Sequence, residues 1–235
     1  MNIGTLVLSC EHGGNRVPPA YAALFTGARP RAALASHRGY DIGALEVAEA
    51  LARRFDVELN AAMVTRLLVE LNKSLGHRGL FSEFSQGLDR DARRQVLERY
   101  YLPHRQQLAE AIANAPARPV CHIGVHSFTP KLNGLMRQAD IGLLYDPSRP
   151  RERGFCVQWQ AQIKQLDPTL RVRRNYPYRG QADGLTTALR RDFAAADYLG
   201  IELETNQALL AGTKRRREHT IATLTDSLAA ALQPA

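Results

Sequence analysis

Residues 9–18 read SCEHGGNRVP and follow directly on TLVL at 5–8, a short apolar run that reads as a buried strand. A histidine placed where a strand gives way to a glycine-rich loop is held by the strand, and its small neighbours leave space for a ligand. His12 is therefore the first candidate metal ligand. Taken alone it also reads as a capping or buried-network histidine, so the assignment depends on partners elsewhere. Three are expected to converge on it: Asp41, His126 and Glu204.

Residues 20–25 read as a short helical piece, followed by a link containing Gly and Pro. Residues 40–55 carry Ile42, Leu45, Val47, Ala48, Leu51 and Phe55 at helical spacing and predict an amphipathic helix with Asp41 at or near its N-cap. A cap contributes about 1 kcal/mol. A carboxylate at a helix start is also well placed to bind a metal, and the two roles are compatible. Residues 57–65 and 67–71 read as extended, and 72–79 as a polar loop. Residues 88–113 carry a long helical pattern that Pro103 should kink or interrupt.

Residues 120–128, VCHIGVHSF, predict a strand with His122 and His126 on one side, roughly 13 Å apart at ~3.3 Å per residue and too far apart to share an ion. His126 falls at the carboxyl end, where ligands gather in open α/β sheets. It goes to the site, and His122 to the core or surface. Residues 139–146 and 172–178 read as further strands, 152–166 as a helix around Trp159, and 187–193 as a short helix. Residues 198–205, YLGIELET, predict the last strand, with Glu202 and Glu204 on one face, and 207–232 a terminal helix. This alternation predicts an α/β fold of three layers: a mostly parallel or mixed twisted sheet with helices on both faces. No repeat or linker interrupts it, so one domain is expected over residues 1–235.

Composition limits the alternatives. A hydrophobic content of 45% with 23% charged residues suits a globular protein. No run approaches the roughly 18–20 apolar residues of a membrane span. The first residues, MNIGTLVLSCEHGG, lack the basic region and cleavage site of a secretory signal. Cys10, Cys121 and Cys156 are an odd number without paired spacing, which argues against a disulfide framework or a cysteine zinc site and for a reducing cytoplasm. The net charge of +8 raises nucleic-acid binding. The positive charge is scattered, however, and its tight cluster, 214–217, merely opens the last helix. We read the excess arginine as serving a small anionic substrate and a solvated surface, with neither nucleic acid nor membrane as partner. The oligomeric state is not legible.

Two imidazoles and a carboxylate with an open fourth position are what a catalytic zinc needs. Such an ion lowers the pKa of its water from near 16 toward about 7 and polarises a carbonyl oxygen. A nearby carboxylate then takes the water's proton and delivers it to the leaving nitrogen. Glu204, flanked by Leu203 at a strand end, is the candidate base, and Glu202, one pleat earlier, is the reserve. The competing reading is two carboxylates on a solvated strand face. The expected ligand set for one Zn2+ per chain is His12, Asp41 and His126.

In order along the chain, SCEHGGNRVP, YDIGALEVAEAL, LLVELNKSLGHRG, VHSFTP, MRQADIGLLYD, NYPYRGQADGLT and GIELETNQALL resemble the N-formylglutamate amidohydrolase family. That family is related to the zinc carboxypeptidases and to the aspartoacylase and succinylglutamate desuccinylase group. The resemblance runs over residues 6–210. It implies a twisted mixed α/β sheet between helices, zinc on His12, Asp41 and His126, and Glu204 as general base. It implies a metal-dependent amidohydrolase acting on an N-formyl or other N-acyl amino acid such as N-formylglutamate. The alternatives are a carboxypeptidase-like or desuccinylase-like hydrolase, or a non-catalytic binding protein on the same scaffold.

Asn72-Lys73 falls where relatives tend to show Asn-Arg, a pair that binds a substrate carboxylate in the carboxypeptidase relatives. Lysine can neutralise that charge but cannot form arginine's bidentate fork. Gly124 stands where relatives tend to have an Asp that supports the histidine two residues on. Arg137, Arg179 and Arg66 are further candidate anchors for an acidic substrate, with surface ion pairing as the competing reading. Asn15 is a candidate to orient the scissile carbonyl, and Cys10 reads as a buried thiol.

Overall fold

The computed structural model describes residues 3–233. Strand β1 (Thr5–Cys10) pairs in parallel with β2 (Leu59–Ala61) on one side and β3 (Val120–Phe128) on the other. β3 pairs in parallel with β8 (Tyr198–Asn206). β6 (Ile141–Leu144) runs antiparallel to β8 and carries β7 (Val172–Arg174) in parallel at the edge. The result is a mixed six-stranded sheet in the order β2-β1-β3-β8-β6-β7. β4 (Lys131–Leu132) and β5 (Leu135–Met136) form a small separate hairpin around Asn133-Gly134, both at positive φ, a turn that suits the strand twist.

The two faces of the sheet differ because alternate residues differ. Leu8, Cys10, Ile123, Val125, Ile201 and Leu203 form one face, the floor of the main core. It is covered by α2 (Ala44–Phe55), α5 (Pro150–Leu166) and α8 (Lys214–Leu232). In α2 the buried residues Ala44, Val47, Ala48 and Leu51 recur at three and four. Trp159 of α5 is fully buried and donates its indole N–H to Ser227 Oγ. The opposite face is covered by α4 (Leu102–Ala113) and α6 (Leu185–Asp192). Its residues include Ser9, His122, His126, Glu202 and Glu204, so the imidazoles and carboxylates of the central strands lie on one side. The three-layer α/β expectation holds.

Several local expectations did not. The helix expected from residue 40 begins at Ala44, with Gly43, not Asp41, as N-cap. Gly43 adopts φ +80°, and a Cβ there would come within 2.7 Å of Leu210 Cβ, so both backbone and packing require glycine. Only Leu59–Ala61 of the extended stretch 57–65 joins the sheet. Leu67, Leu68, Val69 and Leu71 form no strand. They fill a second core with Tyr21, Phe25 and Tyr101, and their backbone closes local turns. A short apolar run marks burial without fixing the backbone. The link after residue 25 contains a helix, α1 (Ala28–Leu34). The 88–113 pattern is divided into α3 (Arg90–Val96), a π-helical turn (Leu97–Tyr101) and α4. Pro103 has no N–H to offer the preceding turn, and the wider turn absorbs that missing bond. The terminal helix breaks after α7 (Gln207–Leu210), and Thr213 caps α8 by accepting from Arg216 N–H.

His122 resolves to the core. Its Nε2 lies 2.8 Å from Ser9 Oγ and its Nδ1 2.8 Å from Tyr198 OH. Burial lowers its pKa from 6.5 to about 4. The unfolded chain therefore binds one more proton here between those values, and stability falls as pH drops through that window. The loss amounts to roughly 3 kcal/mol between about pH 6.5 and pH 4. Urea titrations of metal-free protein should show His122→Gln less stable than wild type at pH 7 but with a shallower acid loss. Parallel acid profiles would remove His122 as the cause.

Candidate metal centre and active site

The carboxyl ends of β1, β3 and β8 lie side by side. Register makes His126 and Glu204 direct partners across β3 and β8. It also pairs Ser9 with Gly124, which brings Glu11 and His12 alongside His126. Asp41 arrives from the loop before α2. Its N–H donates to His12 O at 3.0 Å, and its own carbonyl accepts from Ala44 N–H. The loop after β1 and the entrance to α2 are thus tied together by backbone.

The imidazoles of His12 and His126 face each other with ring centroids 5.2 Å apart. Nδ1 of each is turned to Asp41 Oδ2, at 3.2 and 3.0 Å. Each of the three residues offers a ligand atom within 4.8 Å of the others, and all three are buried. The remote nitrogens also meet carboxylates: His12 Nε2 contacts Glu70 Oε1, and His126 Nε2 lies 3.1 Å from Glu11 Oε2.

An ionised carboxylate only accepts, so each imidazole stands between two acceptors, and the one N–H of its neutral form can satisfy only one of them. Without a metal a second proton satisfies the other. Burial and the Arg66 charge oppose it at His12, yet Glu70 and Asp41 prevail and its pKa is raised. Burial opposes it at His126, where Asp41 and Glu11 prevail and the pKa lies well above the usual value. A divalent cation beside the two Nδ1 atoms and Asp41 would supply the same charge as those two protons. The donor set fits such an ion, with a carboxylate behind each imidazole to hold it.

Arg66 ties the acidic side together. Its Nη1 donates to Asp41 Oδ1 at 2.8 Å and its Nε to Glu70 Oε2 at 2.7 Å. Burial would raise both carboxyls, but His12 and Arg66 hold them well below the usual range. Glu204 is in the opposite situation. It is buried, its Oε2 has no hydrogen-bond partner among the described residues, and burial pushes its pKa up to about 8. Gly142 on β6 gives it room, since a Cβ there would lie 3.1 Å from Glu204 Cβ.

These groups line a cavity of about 280 Å³. Asn72, Lys73, Arg179 and Glu202 line it as well. Asn72 Oδ1 accepts from Leu185 N–H, so this side chain also fixes the start of α6. Lys73 Nζ donates to Asp183 O at 2.9 Å, and no salt bridge to Lys73 within 4.0 Å occurs among the described residues, although its charge lowers the pKa of Asp183. Glu202 accepts from Thr186 Oγ1. Arg137 lies behind the wall, stacked on Tyr178 at 4.9 Å and donating to its hydroxyl, and Tyr178 lines the cavity. Asn15 does not join this group: it is exposed, and its Nδ2 donates to Leu34 O. Glu11 and Glu70 were not singled out in the sequence. Each carried a signal, an acid embedded in a run of small or apolar residues, at SCEHGG and LLVELN.

A family model for N-formylglutamate amidohydrolase matches residues 4–211. A gene product of Agrobacterium tumefaciens has a similar crystal structure, with TM-score 0.81 and 28% identity over 97% of this chain and 90% of that one. The crystal structure of N-formylglutamate amidohydrolase from Ralstonia eutropha JMP134 aligns with TM-score 0.68 and 17% identity over 98% and 94% of the chains. At that identity the likeness speaks for the fold. No curated protein matches the sequence.

Proposed function

The chain belongs to the N-formylglutamate amidohydrolase family, a family of amide hydrolases, and on that premise we propose that it is a zinc-dependent enzyme releasing the acyl group from an N-formyl or other short N-acyl amino acid. The observation that carries this reading is one cavity holding two facing imidazoles, an aspartate between them, and the buried, unpartnered oxygen of Glu204. His12, Asp41 and His126 would hold the zinc. When bound, the ion acidifies a water and polarises the scissile carbonyl. Glu204 takes the proton from the attacking water and passes it to the leaving nitrogen. Arg66 keeps Asp41 and Glu70 ionised and in place. Arg137 acts at one remove, by orienting Tyr178.

The cavity selects for acidic substrates. Lys73 and Arg179 are its two cations outside the Arg66 network, and no salt bridge to Arg179 occurs among the described residues. Two cations suit the two carboxylates of an N-acyl dicarboxylic amino acid. Three buried, unpaired cysteines fit a reducing compartment, and we place the protein in the cytoplasm.

The direct test is a panel of formyl-, acetyl- and succinyl-amino acids, mono- and dicarboxylic, assayed with added zinc. N-formylglutamate should have the highest kcat/KM. Arg179→Met should raise KM for it by about tenfold to a hundredfold, the scale of one charge-assisted contact, with less effect on a monocarboxylic substrate. Equal losses on both substrates would remove Arg179 as a carboxylate anchor. Preference for a succinyl substrate would favour the desuccinylase-like reading.

A further inference from the structure

Glu11 is 2% exposed and does not line the cavity. Its Oε2 lies 3.1 Å from His126 Nε2, and its Oε1 faces His104 Nε2 of α4 at 3.6 Å. An acceptor at Nε2 keeps the proton on that nitrogen and leaves Nδ1 free to coordinate.

The neighbouring position on β3 is Gly124. A Cβ there would sit 3.6 Å from His126 Nε2, 3.6 Å from Ser9 Oγ and 3.7 Å from Glu11 Oε2, all ordinary contact distances. Gly124 does not need a left-handed backbone. A short side chain at 124 could thus approach the same nitrogen from within β3, but only where Glu11 now stands.

Resting on the reading of His126 as a ligand, we propose that Glu11 is the positioning residue that fixes His126 for metal binding. We further propose that positions 11 and 124 are interchangeable sources of that one carboxylate. Glu11 reaches across from just past the end of β1 because Gly124 leaves the space open. An aspartate at 124 beside Glu11 would set two carboxylates against each other, whereas with Glu11 removed it would fill the vacated volume and restore the acceptor.

The test measures zinc affinity by competition with a chromogenic chelator, alongside circular dichroism of the zinc-free proteins. Glu11→Ala should weaken zinc binding about 10–100-fold, the usual effect of losing a carboxylate behind a ligand histidine. Glu11→Gln, which keeps the volume and a weaker acceptor, should fall between alanine and wild type and guards against a folding defect in the alanine variant. Adding Gly124→Asp to Glu11→Ala should return affinity toward wild type. Gly124→Asp alone should lower thermal stability without tightening zinc. Unchanged affinity in both Glu11 variants, or a double variant no better than Glu11→Ala, overturns the proposal. Wild-type protein that takes up no zinc overturns the metal reading itself, and this inference with it.

Discussion

Glu204→Gln is expected to lower kcat by about 10³-fold, roughly 4 kcal/mol of transition-state stabilisation, while leaving bound zinc unchanged. The substitution preserves shape, so the pocket made by Gly142 still fits. It removes the capacity to accept a proton. Glu204 is the register partner of His126, close enough to serve the site, yet it is not among the residues clustered as ligands. Its pH behaviour sharpens the test. Burial places its pKa at about 8 in the metal-free protein. A cation nearby favours the charged form, so the acid limb of kcat/KM in the zinc-loaded enzyme should fall below that value. The glutamine variant should lack this limb. Turnover within a few-fold of wild type would end the assignment, and Glu202, one pleat earlier on β8, would be next to examine.

His126→Ala should abolish zinc uptake and activity together, and the metal-free variant should also be less stable. Removing the imidazole takes the close partner of buried Glu11 away, while Asp41 keeps Arg66 and His12; deleting one partner of a buried pair costs about 3–5 kcal/mol. Both raised imidazoles must lose a proton before they can coordinate. Zinc affinity of the wild type should therefore fall as pH drops, by up to about two log units per pH unit while both rings compete for protons. Chelator competition between about pH 6 and pH 8 measures the slope. A flat profile, or full zinc content in His126→Ala, would place the ion elsewhere.

The strand residues were legible because burial leaves a local pattern. VCHIGVHSF spans the observed β3, and the alternation in YLGIELET correctly puts Glu202 and Glu204 on one face. The helices were legible where the buried stripe was long, as in α2, and not where a short apolar run filled a second core, as at Leu67–Leu71 in the chain. The break before α8 was written in the sequence as Gly212-Thr213, a stop followed by a cap, but helical spacing on both sides masked it. His12 carried two readings, network histidine and ligand. The structure shows why they were hard to separate, since one ring nitrogen faces Glu70 and the other faces Asp41.

The amino-acid order by itself determined the layered α/β plan and the presence of a polar face on the sheet, since side-chain alternation and helical spacing are properties of near neighbours. The pairing of acids with imidazoles was decided only by the tertiary structure. Glu70 meets His12 across 58 positions, and Asp41 meets His126 across 85. Such distant residues are brought together by strand register and by the path of the loops, and no local pattern records either one.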